Sequence, residues 1–125
     1  MGLDPVRDFH PLLNKRCLSL QQKGSILASP ETLNVEGAGQ QYVVEGIGYD
    51  FIPGVLSHSD VDVWLKTTDE ESFDAVRVLM RSEGLLVGGS SGTALAGTLR
   101  WLKTEEGQAV ANERGKNVVV LLPDG

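Results

Sequence analysis

Two serines, Ser90 and Ser91, stand in a frame of glycines, Gly88-Gly-Ser-Ser-Gly92. Leu85–Val87 precede the frame and read as a short buried strand; a helical pattern follows from Thr93. A strand that feeds a glycine turn and then a helix N-terminus makes a cradle for a ligand. Glycines let a ligand approach the backbone, and the first N–H groups of a helix lack intrahelical acceptors. The two hydroxyls can cap the helix or face what is bound. The frame is also Gly-x-Ser-x-Gly, the pattern of a nucleophile elbow in acyl-transfer chemistry. That chemistry requires an acid and then a histidine downstream. The two histidines, His10 and His58, both precede Ser90, so the nucleophile reading fails. A Walker-type phosphate loop fails too, because no Lys-Ser/Thr follows the glycines.

A second stretch, Tyr42-Val-Val-Glu-Gly-Ile-Gly-Tyr-Asp-Phe-Ile-Pro53, has the same kind of chemistry. Tyr42–Val44 suits a strand end. Gly46-Ile-Gly48 then forces a loop whose backbone can approach a ligand, with the polar tips of Tyr49 and Asp50 beside it. A plain glycine turn and a substrate-facing loop are equally good readings of these residues. The remaining reactive groups are weaker. His58, beside Asp60, has the composition of a general base but lies in a polar loop, where a solvated side chain is the stronger reading. Cys17, near Lys15 and Arg16, reads as incidental rather than as an activated thiol. Gly37-Ala-Gly39 lacks the third glycine and the helix of a dinucleotide fingerprint.

The elements that must position these groups are an alternation of strands and helices. Thr68-Asp-Glu-Glu71 predicts a capping box at a helix start. Phe73, Val76, Leu79 and Met80 supply one apolar face, and Gly84 a stop. The acidic run at 69–71 therefore reads as helix-start chemistry rather than a catalytic carboxylate pair. Val61, Val63, Trp64 and Leu65 mark one short element before it. After the glycine frame, Leu95, Leu99 and Leu102 predict a helix face packed on a sheet, with Gly107 as an end or kink and a second helical piece to about Arg114. Val118–Leu122 is a continuous apolar run, predicting a strand buried on both faces, which Pro123-Asp124 stops. This order is α/β, with a mainly parallel sheet and ligands expected beyond the carboxyl ends of its strands. Residues 1–23, broken by Pro5 and Pro11, are an unassigned N-terminal arm.

Length and composition limit what the site can serve. A chain of 125 residues makes one modest domain, 41% hydrophobic and 22% charged. A net charge of −6 without a basic cluster argues against nucleic acid. No apolar run reaches the roughly 18 residues of a membrane span. One cysteine and two separated histidines give no metal site and no intrachain disulfide, and the N-terminus does not read as a signal peptide, so a cytoplasmic protein is expected.

The segments Glu45–Pro53 and Glu83–Gly92, with Gly24-Ser-Ile-Leu-Ala28 and Val119–Asp124, are collinear with the C-terminal part of the catalytic core of the cysteine synthase/cystathionine β-synthase family, which they resemble over residues 24–125. Tyr49-Asp50 is closer to the cystathionine β-synthase pattern. The resemblance implies a partial three-layer α/β/α domain of the fold type II pyridoxal-phosphate enzymes and a lyase that replaces the β-hydroxyl of serine with homocysteine. It implies pyridoxal 5′-phosphate as cofactor, with Ser90 at the pyridine nitrogen and Gly46 and Pro123 beside the ring. Gly48 and Tyr49 are implied to lie next to the substrate. No residue takes the catalytic role. The family's Schiff-base lysine, its substrate-carboxylate loop and its phosphate cup have no counterpart here, since Lys15, Lys23, Lys66, Lys103 and Lys116 lie in other contexts. The expectation is therefore a fragment inactive alone. A non-catalytic α/β interaction module is the alternative, and cysteine synthase activity a weaker one. Uncovered apolar strands would favour self-association or pairing with a longer relative.

Overall fold

The computed structural model describes residues 18–22, 41–48 and 51–123. His10, Cys17, Gly24–Ala28, Gly37–Gly39, Tyr49 and Asp50 lie outside the described residues. Strand β1, Leu18–Gln22, runs parallel to β2, Val63–Thr67, in a register from Leu18 opposite Val63 to Gln22 opposite Thr67. β1 falls within residues 1–23, the arm to which the sequence assigns no element. The alternation Leu18, Ser19, Leu20, Gln21 has the strand period, and the prolines upstream obscure it. His58 belongs to a 3₁₀ turn, His58–Asp60, and is half-buried with its ring centroid 5.3 Å from that of Trp64. It is not the solvated loop residue expected.

Helix α1 spans Asp69–Val78. The Thr68 hydroxyl accepts from the Glu71 N–H at 3.3 Å, and Glu71 Oε2 accepts from the Thr68 N–H at 3.0 Å, so the capping box is complete. The helix widens into a π turn, Leu79–Glu83, and stops at Gly84, whose φ of 69° is the left-handed conformation that glycine tolerates best. Thr68→Ala removes the acceptor of the Glu71 N–H, while the Glu71 carboxylate keeps the N–H at position 68 and Arg100. It is expected to lower stability by about 1–2 kcal/mol, read from the urea midpoint.

Helix α2, Gly89–Leu102, touches both strands, α1 and helix α3, Glu105–Asn112. It begins four residues before the expected start at Thr93, so the glycine–serine run is its first turn. Glycine and serine are poor helix formers, and tertiary packing overrides that preference here. The buried face is also not the leucine face. Ser91, Gly92, Thr93, Ala94, Gly97, Thr98 and Trp101 are buried, whereas Leu99 is 47% exposed. Small and hydroxylated residues let α1 come close. A Cβ built on Gly92 would stand 2.0 Å from the Ser72 carbonyl oxygen. The Ser72 and Thr93 hydroxyls, both fully buried, meet across this contact at 2.6 Å. Ala75, Val76, Leu79, Ala94 and Trp101 complete the core beside it.

Two expected strands are absent. Leu85–Val87 and Val118–Leu122 carry no strand, and Leu86, Val119 and Leu121 are 77%, 90% and 79% exposed. An apolar run becomes a strand only against a hydrogen-bonding neighbour, and none pairs with these segments among the described residues. The α/β class and the parallel sheet stand. Among the described residues no helix is long and apolar enough to cross a membrane.

Candidate functional site

Ser90 is the second residue of α2, half-buried, with Gly88 as the N-cap in extended conformation. Its helical conformation is not the strained strand-to-helix turn of a nucleophile elbow, which agrees with the missing downstream histidine. Ser91 turns inward and is fully buried. The Gly88 cap brings no side chain to the first turn. The chain thus presents one hydroxyl, that of Ser90, at the partly positive end of α2.

The second glycine loop lies against this turn. Val44, only 3% exposed, is the contact: a Cβ built on Gly89 would stand 3.0 and 3.2 Å from the Val44 γ-methyl carbons and 3.4 Å from Phe73 Cε1. Val44 is therefore a buried anchor rather than a strand end. Gly46 and Gly48 follow with φ of 78° and 152°, so the loop bends within two residues of its anchor. Asp69, the first residue of α1, accepts from the N–H groups of Val43 at 2.8 Å and Val44 at 3.1 Å. Three segments thus meet: loop 42–48, the start of α1 and the start of α2. Sequence reasoning assigned Asp69 to helix-start electrostatics alone. Its loop partners lie 25 and 26 residues away, and no local signal marks them.

The other expected site residues fare differently. Tyr49 lies outside the described residues. Pro123 is exposed and belongs to no regular element. Lys66 is half-buried in β2, and leaving water holds its ammonium below the ordinary lysine value. The Lys66 carbonyl accepts from the Arg100 guanidinium, which also binds Glu71 Oε1 at 2.7 Å, so this corner joins α2 to the capping box.

A half-buried neutral hydroxyl on a fixed first helical turn fits the ring nitrogen of a pyridine cofactor. The frame glycines Gly89 and Gly92 do not fit a phosphate, because the space beside them is filled by Val44, Ser72 and Val76.

The fold is that of the cysteine synthases. A solved cysteine synthase from Entamoeba histolytica superposes with a TM-score of 0.73 at 20% identity, covering 95% of this chain and 32% of that one. Sequence narrows the likeness to the cystathionine β-synthases. That of Dictyostelium discoideum is 50% identical over 101 residues, 81% of this chain and 18% of the relative. The solved O-acetylserine-dependent cystathionine β-synthase of Helicobacter pylori is 32% identical, with a TM-score of 0.71 over 95% of this chain and 35% of that one. The chain is cystathionine β-synthase-like, and it spans only a small part of the length of the relatives it matches. No protein-family model matches it.

Proposed function

We propose that this chain supplies one wall of a pyridoxal-phosphate site for β-replacement on serine by homocysteine. The observation that carries the reading is the contact of Val44 with Gly89, which sets the Gly46–Gly48 loop beside the turn that bears Ser90. The sequence identity to cystathionine β-synthases supports the substrate class. When bound, the cofactor would supply an electron sink for the pair left on the substrate Cα once its proton is removed, from which the β-substituent can be expelled. Ser90 holds the ring nitrogen with a neutral hydroxyl, which orients the ring without adding charge. Gly46 and Gly48 let the backbone approach the substrate, and Tyr49 closes over it. Pro123 borders the ring. No residue of this chain is assigned as covalent anchor, so the wall is not expected to turn over substrate alone. Residues 24–125 make up this wall, and residues 1–23 have no assigned part in the site.

A chimera tests this. Residues 42–123 replace the matching part of the Dictyostelium discoideum enzyme, and β-replacement is assayed with serine and homocysteine. The chimera is expected to be active, and Ser90→Ala within it to lower kcat/KM by about tenfold, the loss of one oriented hydrogen bond. A folded chimera without activity would sink the proposal and favour a non-catalytic interaction module. Activity with O-acetylserine and sulfide but not with serine and homocysteine would reassign the wall to cysteine synthase chemistry.

A further inference from the structure

The Asp69 carboxylate takes two consecutive backbone N–H groups, those of Val43 and Val44, at 2.8 and 3.1 Å. Acceptors with full charge make the stronger hydrogen bonds, and two donors on one carboxylate define direction as well as distance. The two donors immediately precede the loop that bends at Gly46 and Gly48. The neighbouring Thr68–Glu71 capping box holds the backbone on which Asp69 stands. Val44 then seats its side chain on Gly89, one residue before Ser90. A rigid path therefore runs from the cap of α1, through one carboxylate, to both ligand-facing segments.

We propose that Asp69 is a positioning residue for the site: it holds the Gly46–Gly48 loop at a fixed height over the first turn of α2, so that loop and Ser90 present one surface. This rests on the functional reading above for what that surface binds, but not for the clamp itself. A first-turn aspartate whose role ended at its own helix would face the open N–H groups of α1. Asp69 instead accepts from a segment 25 and 26 residues away. The glycines make the clamp necessary, because flexible backbone holds a conformation only when something outside it imposes one.

Amide hydrogen exchange on the full chain, read by NMR, decides the matter across Asp69→Ala, Asp69→Asn and Thr68→Ala. Asp69→Ala is expected to speed exchange at Val43 and Val44 by on the order of tenfold or more, and to extend the change to Gly46–Gly48. Asp69→Asn keeps one acceptor oxygen and should fall between it and the unaltered chain. Thr68→Ala weakens the same helix end but keeps the Asp69 carboxylate, so at matched stability its loop amides should stay better protected than those of Asp69→Ala. Equal loop exchange in Asp69→Ala and Thr68→Ala at matched stability would overturn the proposal. Pyridoxal phosphate titrated onto the chimera, with and without the same substitutions, separates the two ideas. Binding that weakens in Asp69→Ala while Ser90 is intact supports the shared surface. No uptake by the folded, unsubstituted chimera counts against the functional reading, and the exchange contrast still decides what Asp69 does.

Discussion

Gly92→Ala is expected to cost about 2–4 kcal/mol, a large part of the stability of a domain this size. On an exposed helix the same change would stabilise by about 1 kcal/mol, so the sign itself is diagnostic. The added Cβ would lie 2.0 Å from the Ser72 carbonyl oxygen and 2.6 Å from Val76 Cγ2. A side chain can rotate away, but a backbone carbonyl in the middle of α1 cannot. The two helices must separate, and separation stretches the 2.6 Å contact between the Ser72 and Thr93 hydroxyls. Each of those hydroxyls is fully buried but also has a backbone carbonyl acceptor one turn back, Ser72 that of Thr68 at 2.8 Å and Thr93 that of Gly89 at 3.2 Å, so losing their mutual contact adds only about 1 kcal/mol to the steric term. Urea denaturation followed by circular dichroism measures the loss. Val76→Ala in the Gly92→Ala background separates the causes: no recovery is expected, since the carbonyl is the nearer obstacle. A Gly92→Ala protein as stable as the unaltered chain would mean that α1 and α2 do not approach this closely.

Gly107→Ala is expected to cost about 2–3 kcal/mol, with the damage confined to α3. The new Cβ would lie 2.1 Å from the Trp101 carbonyl oxygen and 2.5 Å from Leu102 Cα, again backbone. That carbonyl already accepts from the Thr104 N–H at 2.9 Å and its hydroxyl at 2.6 Å, while the same hydroxyl accepts from the Gly107 N–H at 3.1 Å. Gln108 adds a bond from its side-chain amide to the Leu102 carbonyl at 2.6 Å. The corner is closed by hydrogen bonds around a space that has no room for a methyl group. α3 has to swing outward, and it is short enough to fray once detached. Exchange protection at Ala109–Asn112 should fall on the order of a hundredfold, with α1 and α2 little changed. Protection lost equally across all three helices would show that α3 is integral to the core rather than appended to it.

These two glycines also mark where sequence reasoning stops. Gly107 reads as a helix end or kink, yet it lies inside α3 as the third residue, and its reason is the Trp101 carbonyl. Gly92 reads as part of a ligand cradle, yet the Cβ it lacks would meet α1. The Leu95–Leu99–Leu102 stripe reads as the packed face, yet α2 buries its small residues because α1 comes close on that side. Leu85–Val87 and Val118–Leu122 have strand composition and no strand, because the partner of a ladder is not written in the segment itself.

What sequence alone determined is local. Thr68 with Glu71, the left-handed stop at Gly84 and the bend at Gly46–Gly48 each depend on residues within about four positions, where capping and φ preferences act. The family likeness was legible for the same reason, in contiguous runs such as Glu45–Pro53. The tertiary structure decided what meets what: Val44 on Gly89, Asp69 on the loop, Ser72 on Thr93. Those contacts join segments more than 20 residues apart. A carboxylate or a missing Cβ carries no sign of its distant partner until the chain has folded around it.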